Sequence, residues 1–227
     1  MANNIQLVSI EGNIGSGKST LLEHLRQQYA TNPTVIFLKE PVDDWMTIKD
    51  ANGETILQKF YANQEKYSFP FQMMAYISRL KILKEAVDRI VSSNNGEKYT
   101  IITERCLHTD KHVFAQMLFD QHKIEDVCFQ IYLNWFDTFA KQYPITHLVY
   151  VETTPEICHH RVHQRDRVGE TIPLDYLQAC HQYHTQFIQA MHPVERFVLN
   201  GNLDIYEDAT VMEEWLEKLK QFISGSA

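Results

Sequence analysis

The chain has 227 residues, 44% of them hydrophobic and 22% charged, which suits one globular α/β domain with its own core. Its formal net charge of −8 makes it a poor match for a polyanion, so no nucleic-acid partner is expected. No apolar run approaches the roughly 20 residues of a membrane span, Met1–Gln6 holds no basic or Arg-rich stretch, and the four cysteines include no C-x-x-C pair; together these point to a cytoplasmic protein with free thiols.

The first apolar, β-branched run, Ile5–Ile10, reads as a buried strand. It leads into Gly12-Asn13-Ile14-Gly15-Ser16-Gly17-Lys18-Ser19, which fits G-x-x-x-x-G-K-[ST]. A helix is expected over Thr20–Ala30, with Leu21, Leu22, Leu25 and Tyr29 on one face. Strand, glycine-rich turn and helix are the context this motif requires. Glycines let backbone N–H groups turn inward on phosphate oxygens, and the helix N-terminus adds positive potential. Lys18 is placed to bridge the β- and γ-phosphates of a nucleoside triphosphate such as ATP, and the Ser19 hydroxyl to ligate Mg²⁺. No N-K-x-D pattern occurs, which argues against a GTPase.

A second strand, Val35–Leu38, runs into Glu40 and Trp45. A carboxylate at a strand's carboxyl end faces the ligand crevice of a parallel sheet, where Glu40 suits a general base for an acceptor hydroxyl and Trp45 a flat surface for a sugar or base. By local sequence alone, a helix-capping carboxylate and a core tryptophan account for them equally well. The next periodic segment, Phe69–Val91, is a helix expected to bury Met73, Ile77, Leu80, Val87 and Val91. Gln72, Ala75, Tyr76 and Arg79 share another of its faces. A third strand, Thr100–Thr103, ends in Glu104-Arg105-Cys106, with Asp110 following. Glu104 is a candidate Mg²⁺ ligand and Arg105 a candidate clamp on the migrating phosphate; a surface ion pair is the plain alternative. An Arg79–Asp110 pair near the base would accept from an exocyclic amine and leave no room for the methyl of thymine.

Ile124–Gln142 reads as a helix with Phe129, Leu133 and Phe136 in the core or at a dimer face. The strands His147–Val151 and Phe197–Leu199 alternate with helices over Pro155–Arg165, Leu174–Met191 and Ala209–Ile223. Strands alternating with helices imply a parallel sheet covered on both faces. His159 and His163, and His181 and His184, stand at helical spacings but lack H-E-x-x-H or neighbouring cysteines, so solvated or capping histidines are expected rather than a metal site.

The P-loop GNIGSGKST and the segments KEPVDDW, YSFPFQMMAYISRLK and TERCLHTDKHVFA keep the order of motifs of the deoxynucleoside kinase family. So do the lid stretch Arg161-Val162-His163-Gln164-Arg165-Asp166-Arg167 and the IPLDYL after it, and the chain resembles that family along nearly its whole length. Cys106 stands where the family usually has serine. The resemblance implies a P-loop kinase fold, with a five-stranded parallel sheet, helices on both faces and an arginine-bearing lid at about 161–171 of a single domain, 1–227. It implies an ATP-dependent, Mg²⁺-assisted phosphorylation of a deoxynucleoside by a homodimer. By the same resemblance Lys18 and its loop through Thr20 hold the donor, Glu40 is the base, Arg105 holds the reacting groups and Glu104 lies near Mg²⁺. Gln72 pairs with the base between Trp45, Phe71 and Phe114. Tyr61 and Glu170 bind the sugar 3′-hydroxyl. Arg161, Arg165 and Arg167 close over the donor, whose base lies near Asn200–Ile205. Relatives that carry Arg and Asp at the positions of Arg79 and Asp110 act on amino-bearing bases. Two rival readings remain at this point: a thymidylate-type nucleotide kinase, and a nucleotide-binding module without turnover.

Overall fold

A computed structural model describes residues 4–225 apart from 94, 95, 168 and 193, the third of which falls within the expected lid. Five strands, β1 (Ile5–Glu11), β2 (Val35–Leu38), β3 (Tyr99–Glu104), β4 (His147–Glu152) and β5 (Glu195–Asn200), form one parallel sheet in the order β2-β3-β1-β4-β5. All five lie where the apolar runs placed them, each within two residues at either end.

Along each strand alternate residues face opposite sides, so one strand feeds two cores. Val8, Ile10, Ile102, Val149 and Val151 pack against α1 (Lys18–Gln28) and the chain's last helix, Ala209–Ser224. Leu21, Leu22 and Leu25 of α1 are almost fully buried there, and truncating any one to alanine would cost about 2–5 kcal/mol. Ile5, Leu7, Ile101, Leu148 and Tyr150 face the other side. Its cover begins with three helices: α2 (Val42–Thr47), α3 (Ile56–Ala62) and α4 (Gln64–Ser93). Next comes a continuous helical segment made of α5 (Leu107–Thr109), a π-helical turn (Asp110–Ala115) and α6 (Gln116–Asp120). Then follow α7 (Asp126–Phe139) with the 3₁₀ turn Ala140–Gln142, α8 (Pro155–Arg165) and α9 (Leu174–Ala190), and α10 is the Ala209–Ser224 helix.

Two expectations need correction. In α4 the buried face runs through Ser68, Phe71, Gln72, Ala75, Tyr76, Arg79, Leu83, Ala86, Val87 and Ile90. Of the expected stripe only Val87 is buried, and Ile77 and Val91 are about half exposed. The helix turns its Gln72–Arg79 face inward, where Arg79 pairs with Asp110 and Glu40. His184 also departs from the solvated reading. It is fully buried on α9, where its Nδ1 bonds the Cys180 carbonyl one turn earlier (2.8 Å) and its ring meets Phe114 edge-on.

Register sets the site. Ile10 pairs with Glu104 and Leu38 with Thr103, so β1, β2 and β3 end level. The glycine loop after Glu11, Glu40 after β2 and Arg105 after β3 therefore emerge at one edge of the sheet, where the strand order reverses and open α/β sheets place their ligands.

Candidate active site

A cavity of about 610 Å³ opens at that edge. Ile14 to Thr20 line one wall. Gly15 and Gly17 adopt positive φ, and a Cβ on Gly15 would lie 2.5 Å from the Cys158 carbonyl oxygen, so only glycine fits there. Lys18 is buried, and its Nζ donates to the Asn13 carbonyl at 2.6 Å. Burial, reinforced by the positive charge of Arg105, lowers its pKa to about 8. Gly12 and Asn13 stand behind the wall: the Asn13 amide donates to the Leu177 carbonyl at 2.9 Å and fixes the loop to α9.

Glu40 lines the same cavity as the glycine loop. Its Oε1 accepts from Arg105 Nη1 at 2.7 Å and from Arg79 Nη2 at 2.9 Å. Burial pushes the carboxyl pKa up, but Arg105, then Arg79 and Lys18, pull it down further, and it settles at about 2. Glu40 is thus an ionised acceptor at any physiological pH. Arg105 sits at φ 61°, a left-handed conformation that costs a non-glycine residue about 1–3 kcal/mol and clusters at functional sites. Its guanidinium lies 4.9 Å over the Phe114 ring, and its buried Nε has no partner among the described residues.

Arg79 does not reach the cavity wall. Its donors are used behind the wall: Nε on Asp110 (2.8 Å), Nη1 on the Glu104 carbonyl (2.6 Å) and Nη2 on Glu40. Asp110 is the member of the pair that lines the cavity. Burial raises its pKa to about 6 against the pull of Arg79. The π-helical turn carries both Asp110 and Phe114 to the wall. Ahead of it, Thr109 donates to Glu11 at 2.6 Å and ties this turn to the end of β1. Glu11 was absent from the sequence reading; a lone acidic residue before a glycine loop gives no spacing signal.

Beyond Glu40 the walls turn aromatic. Trp45 meets Phe71 edge-on at 5.4 Å, and Phe71 stacks on Phe60 at 4.6 Å. Gln72, only 2% exposed, lines the same cavity with an amide that has no hydrogen-bond partner among the described residues. Tyr61 lines the next stretch beside Tyr176, and its hydroxyl also makes no hydrogen bond among those residues. Glu170, whose side chain is 4% exposed, lies on the same wall and pairs with Arg165 (2.5 Å) and Arg167 (3.6 Å). Arg161 instead donates to the carbonyls of Gly201 (2.9 Å) and Leu203 (3.3 Å).

Ser19 Oγ donates to Glu104 Oε1 at 2.6 Å beside the glycine loop. A hydroxyl and a carboxylate so placed suit a hard, oxygen-seeking cation such as Mg²⁺ next to a bound triphosphate. Leu203 to Tyr206, with Met212 and Trp215 of α10, also line the cavity. Tyr206, Met212 and Trp215 were not singled out from sequence, because helix periodicity gives Met212 and Trp215 an ordinary core role.

The structure therefore gathers Lys18, Ser19, Thr20, Glu40, Trp45, Tyr61, Phe71, Gln72, Glu104, Arg105, Asp110, Phe114, Arg161, Arg165, Arg167 and Glu170 around one cavity. No group of three or more His, Cys, Asp or Glu able to hold an ion occurs among the described residues. No helix among them is long and apolar enough to cross a membrane.

The profile of the family described as deoxynucleoside kinase matches residues 8–224. Deoxycytidine kinase of Homo sapiens is 29% identical over 249 aligned residues, covering 97% of this chain and 92% of that protein. A probable deoxycytidine kinase of Fowlpox virus is 31% identical, covering 96% and 88%. Mitochondrial deoxyguanosine kinase of Xenopus laevis is 25% identical, covering 97% and 91%.

Proposed function

The chain belongs to the deoxynucleoside kinase family, and from that premise we propose that it transfers the γ-phosphate of ATP to the 5′-hydroxyl of deoxyadenosine, deoxycytidine or deoxyguanosine in preference to thymidine, in deoxynucleotide salvage. The observation that carries the reading is the common cavity: Gln72, a buried residue whose amide has no partner among the described residues, the rings of Trp45, Phe60 and Phe71, Glu40 and the glycine loop all line it. A planar base with paired donor and acceptor edges would satisfy Gln72, and its exocyclic amine would donate to Asp110. Relatives named for deoxycytidine and deoxyguanosine accord with this choice. Initial rates with the four deoxynucleosides test it; thymidine as the best acceptor overturns the preference.

Phosphoryl transfer asks the protein mainly to position and to neutralise charge. Backbone N–H groups of Gly15 to Ser19 and the Lys18 ammonium would cradle the donor phosphates. Ser19 and Glu104 would hold Mg²⁺, which when bound spreads and neutralises charge on the phosphate oxygens. Glu40 would accept the 5′-hydroxyl proton while Arg105, fixed to it, faces the migrating group. Arg165 and Arg167 would close on the donor from the lid at about 161–171, and Leu203 to Tyr206 with Trp215 would receive its base. A thymidylate-type kinase would need extra cations for an acceptor phosphate; the acceptor end here offers Trp45, Tyr61, Phe71 and Gln72 instead. Comparing a deoxynucleoside with its monophosphate as acceptor separates the two.

We take residues 1–227 as one kinase domain acting as a homodimer in the cytoplasm. Val127, Ile131 and Trp135 on α7 and Ile77 on neighbouring α4 are exposed, and all four cysteines are free thiols. Sedimentation velocity tests the dimer.

A further inference from the structure

Glu11 is fully buried at the end of β1. Its Oε1 accepts from the hydroxyls of Ser9 and Thr109, each at 2.6 Å, while its Oε2 has no partner among the described residues. A buried polar atom left without a partner costs stability, so this carboxyl is a poor device for holding the fold alone. Nor does Glu11 line the cavity, where it would meet a substrate.

Thr109 is buried as deeply, and it carries the contact onward. Its one hydroxyl proton goes to Glu11, so its oxygen is left to accept. It accepts from the backbone N–H of Cys106 at 3.3 Å, and the Cys106 thiol stands 3.2 Å away as a second donor. Arg105, one residue earlier, takes its left-handed φ of 61° where the chain leaves β3 for α5. The Arg105 N–H donates to the Ile10 carbonyl at 2.9 Å. The N–H groups on both sides of the strained Cα are thus tied to β1, one directly at Ile10 and the other through Thr109 at Glu11. The guanidinium of the same arginine donates to Glu40 at 2.7 Å on the cavity wall.

We infer that Glu11 and Thr109 are positioning residues for the phosphoryl transfer: they clasp the left-handed turn at Arg105 and so fix where its guanidinium stands against the migrating phosphate. The inference rests on the proposed activity and adds to it two residues that touch no substrate. Without the Thr109 hydroxyl, the Cys106 N–H loses its acceptor and the turn relaxes from its strained φ. The guanidinium then shifts relative to Glu40 and the donor phosphates. Misplacing a group that acts on the transition state lowers kcat and leaves ground-state binding largely alone.

The test compares Thr109→Val, Thr109→Ser and Ser9→Ala with the natural enzyme, using ATP and the best accepted of the four deoxynucleosides. Turnover and both KM values are measured well below each variant's melting temperature. Thr109→Val should lose about tenfold or more in kcat, with both KM values within about twofold of the natural enzyme. Thr109→Ser keeps the hydroxyl and should keep kcat. Ser9→Ala removes the other donor to the same Glu11 oxygen but leaves the Arg105 turn tied, so it should lower the melting temperature and not kcat. If Thr109→Val loses stability alone, or its KM values rise while kcat holds, the clasp does not aim Arg105 and the inference fails. It fails too if Ser9→Ala loses as much kcat as Thr109→Val, since the loss then follows Glu11 burial and not the turn. Thr109→Ala, smaller and also without the hydroxyl, stands in where the valine variant does not fold. If neither folds, the hydroxyl serves the fold alone and the inference is overturned. A natural enzyme that turns over none of the four deoxynucleosides overturns the proposed activity, a result distinct from any loss seen only in the variants.

Discussion

Arg105 donates to Glu40 at 2.7 Å, and the same carboxylate oxygen also accepts from Arg79 at 2.9 Å. The base candidate is therefore held in place by two cations and is very weakly basic at rest, with a pKa of about 2. Such a group abstracts no proton early. It suits a loose transition state, where the acceptor hydroxyl becomes acidic only as its bond to phosphorus forms.

Replacing Glu40 by alanine should lower kcat by at least about 10² while donor binding changes little. The measurement is kcat and donor KM at saturating deoxynucleoside. Near-normal turnover would remove Glu40 from the mechanism. Because Arg79 and Arg105 each lose a buried carboxylate partner, thermal stability should be recorded for the same variant.

Asp110 titrates higher than Glu40, at about 6, because burial outweighs the pull of Arg79. Falling pH should protonate it first, releasing Arg79 Nε and removing the acceptor proposed for the base's exocyclic amine. For deoxycytidine, kcat/KM should therefore decline below about pH 6 while Glu40 is still ionised. In Asp110→Asn the decline should vanish and thymidine should gain relative to deoxycytidine. A profile that stays flat down to pH 5 in the natural enzyme would contradict this.

Lys18 sets the alkaline side. Burial first and the Arg105 charge second lower its pKa to about 8. The free enzyme loses this cation as pH rises through 8, so donor kcat/KM should fall there. Bound phosphates favour the charged form, so kcat at saturating donor should hold to higher pH. Lys18→Arg keeps its charge well above this range, and its donor kcat/KM, though lower overall, should show no limb near 8.

Much of this site was legible because strand ends in a parallel sheet carry their motifs to one edge. The glycine loop, Glu40, Glu104 and Arg105 each follow an apolar run whose position the residues made plain. Helix α4 was harder. Its inward face holds Gln72 and Arg79 while Ile77 and Val91 face outward, so a hydrophobic stripe points the wrong way where polar groups line a cavity or form an internal ion pair. The short helices α2 and α3 and the π-helical turn were not anticipated, because segments of six or seven residues give too few turns for periodicity. The path of Arg79 behind the wall, to Asp110 and Glu40, depends on the packing of three elements and on no local pattern.

Gly15 offers a test of the loop that avoids every charged group. At φ +82° an L-residue is disfavoured by roughly 1–2 kcal/mol, and a Cβ would meet the Cys158 carbonyl oxygen at 2.5 Å. That oxygen belongs to the backbone of α8 and cannot swing aside. Gly15→Ala must therefore move the glycine loop or α8, the helix that carries Arg161 and Arg165. The expected result is a fall in melting temperature of about 2–8 °C for the strain alone. The donor KM should rise far more than the acceptor KM, because the N–H groups proposed to hold the donor phosphates are displaced while Gln72 and its aromatic walls are not. Equal losses for both substrates would mean that the loop also shapes the acceptor end.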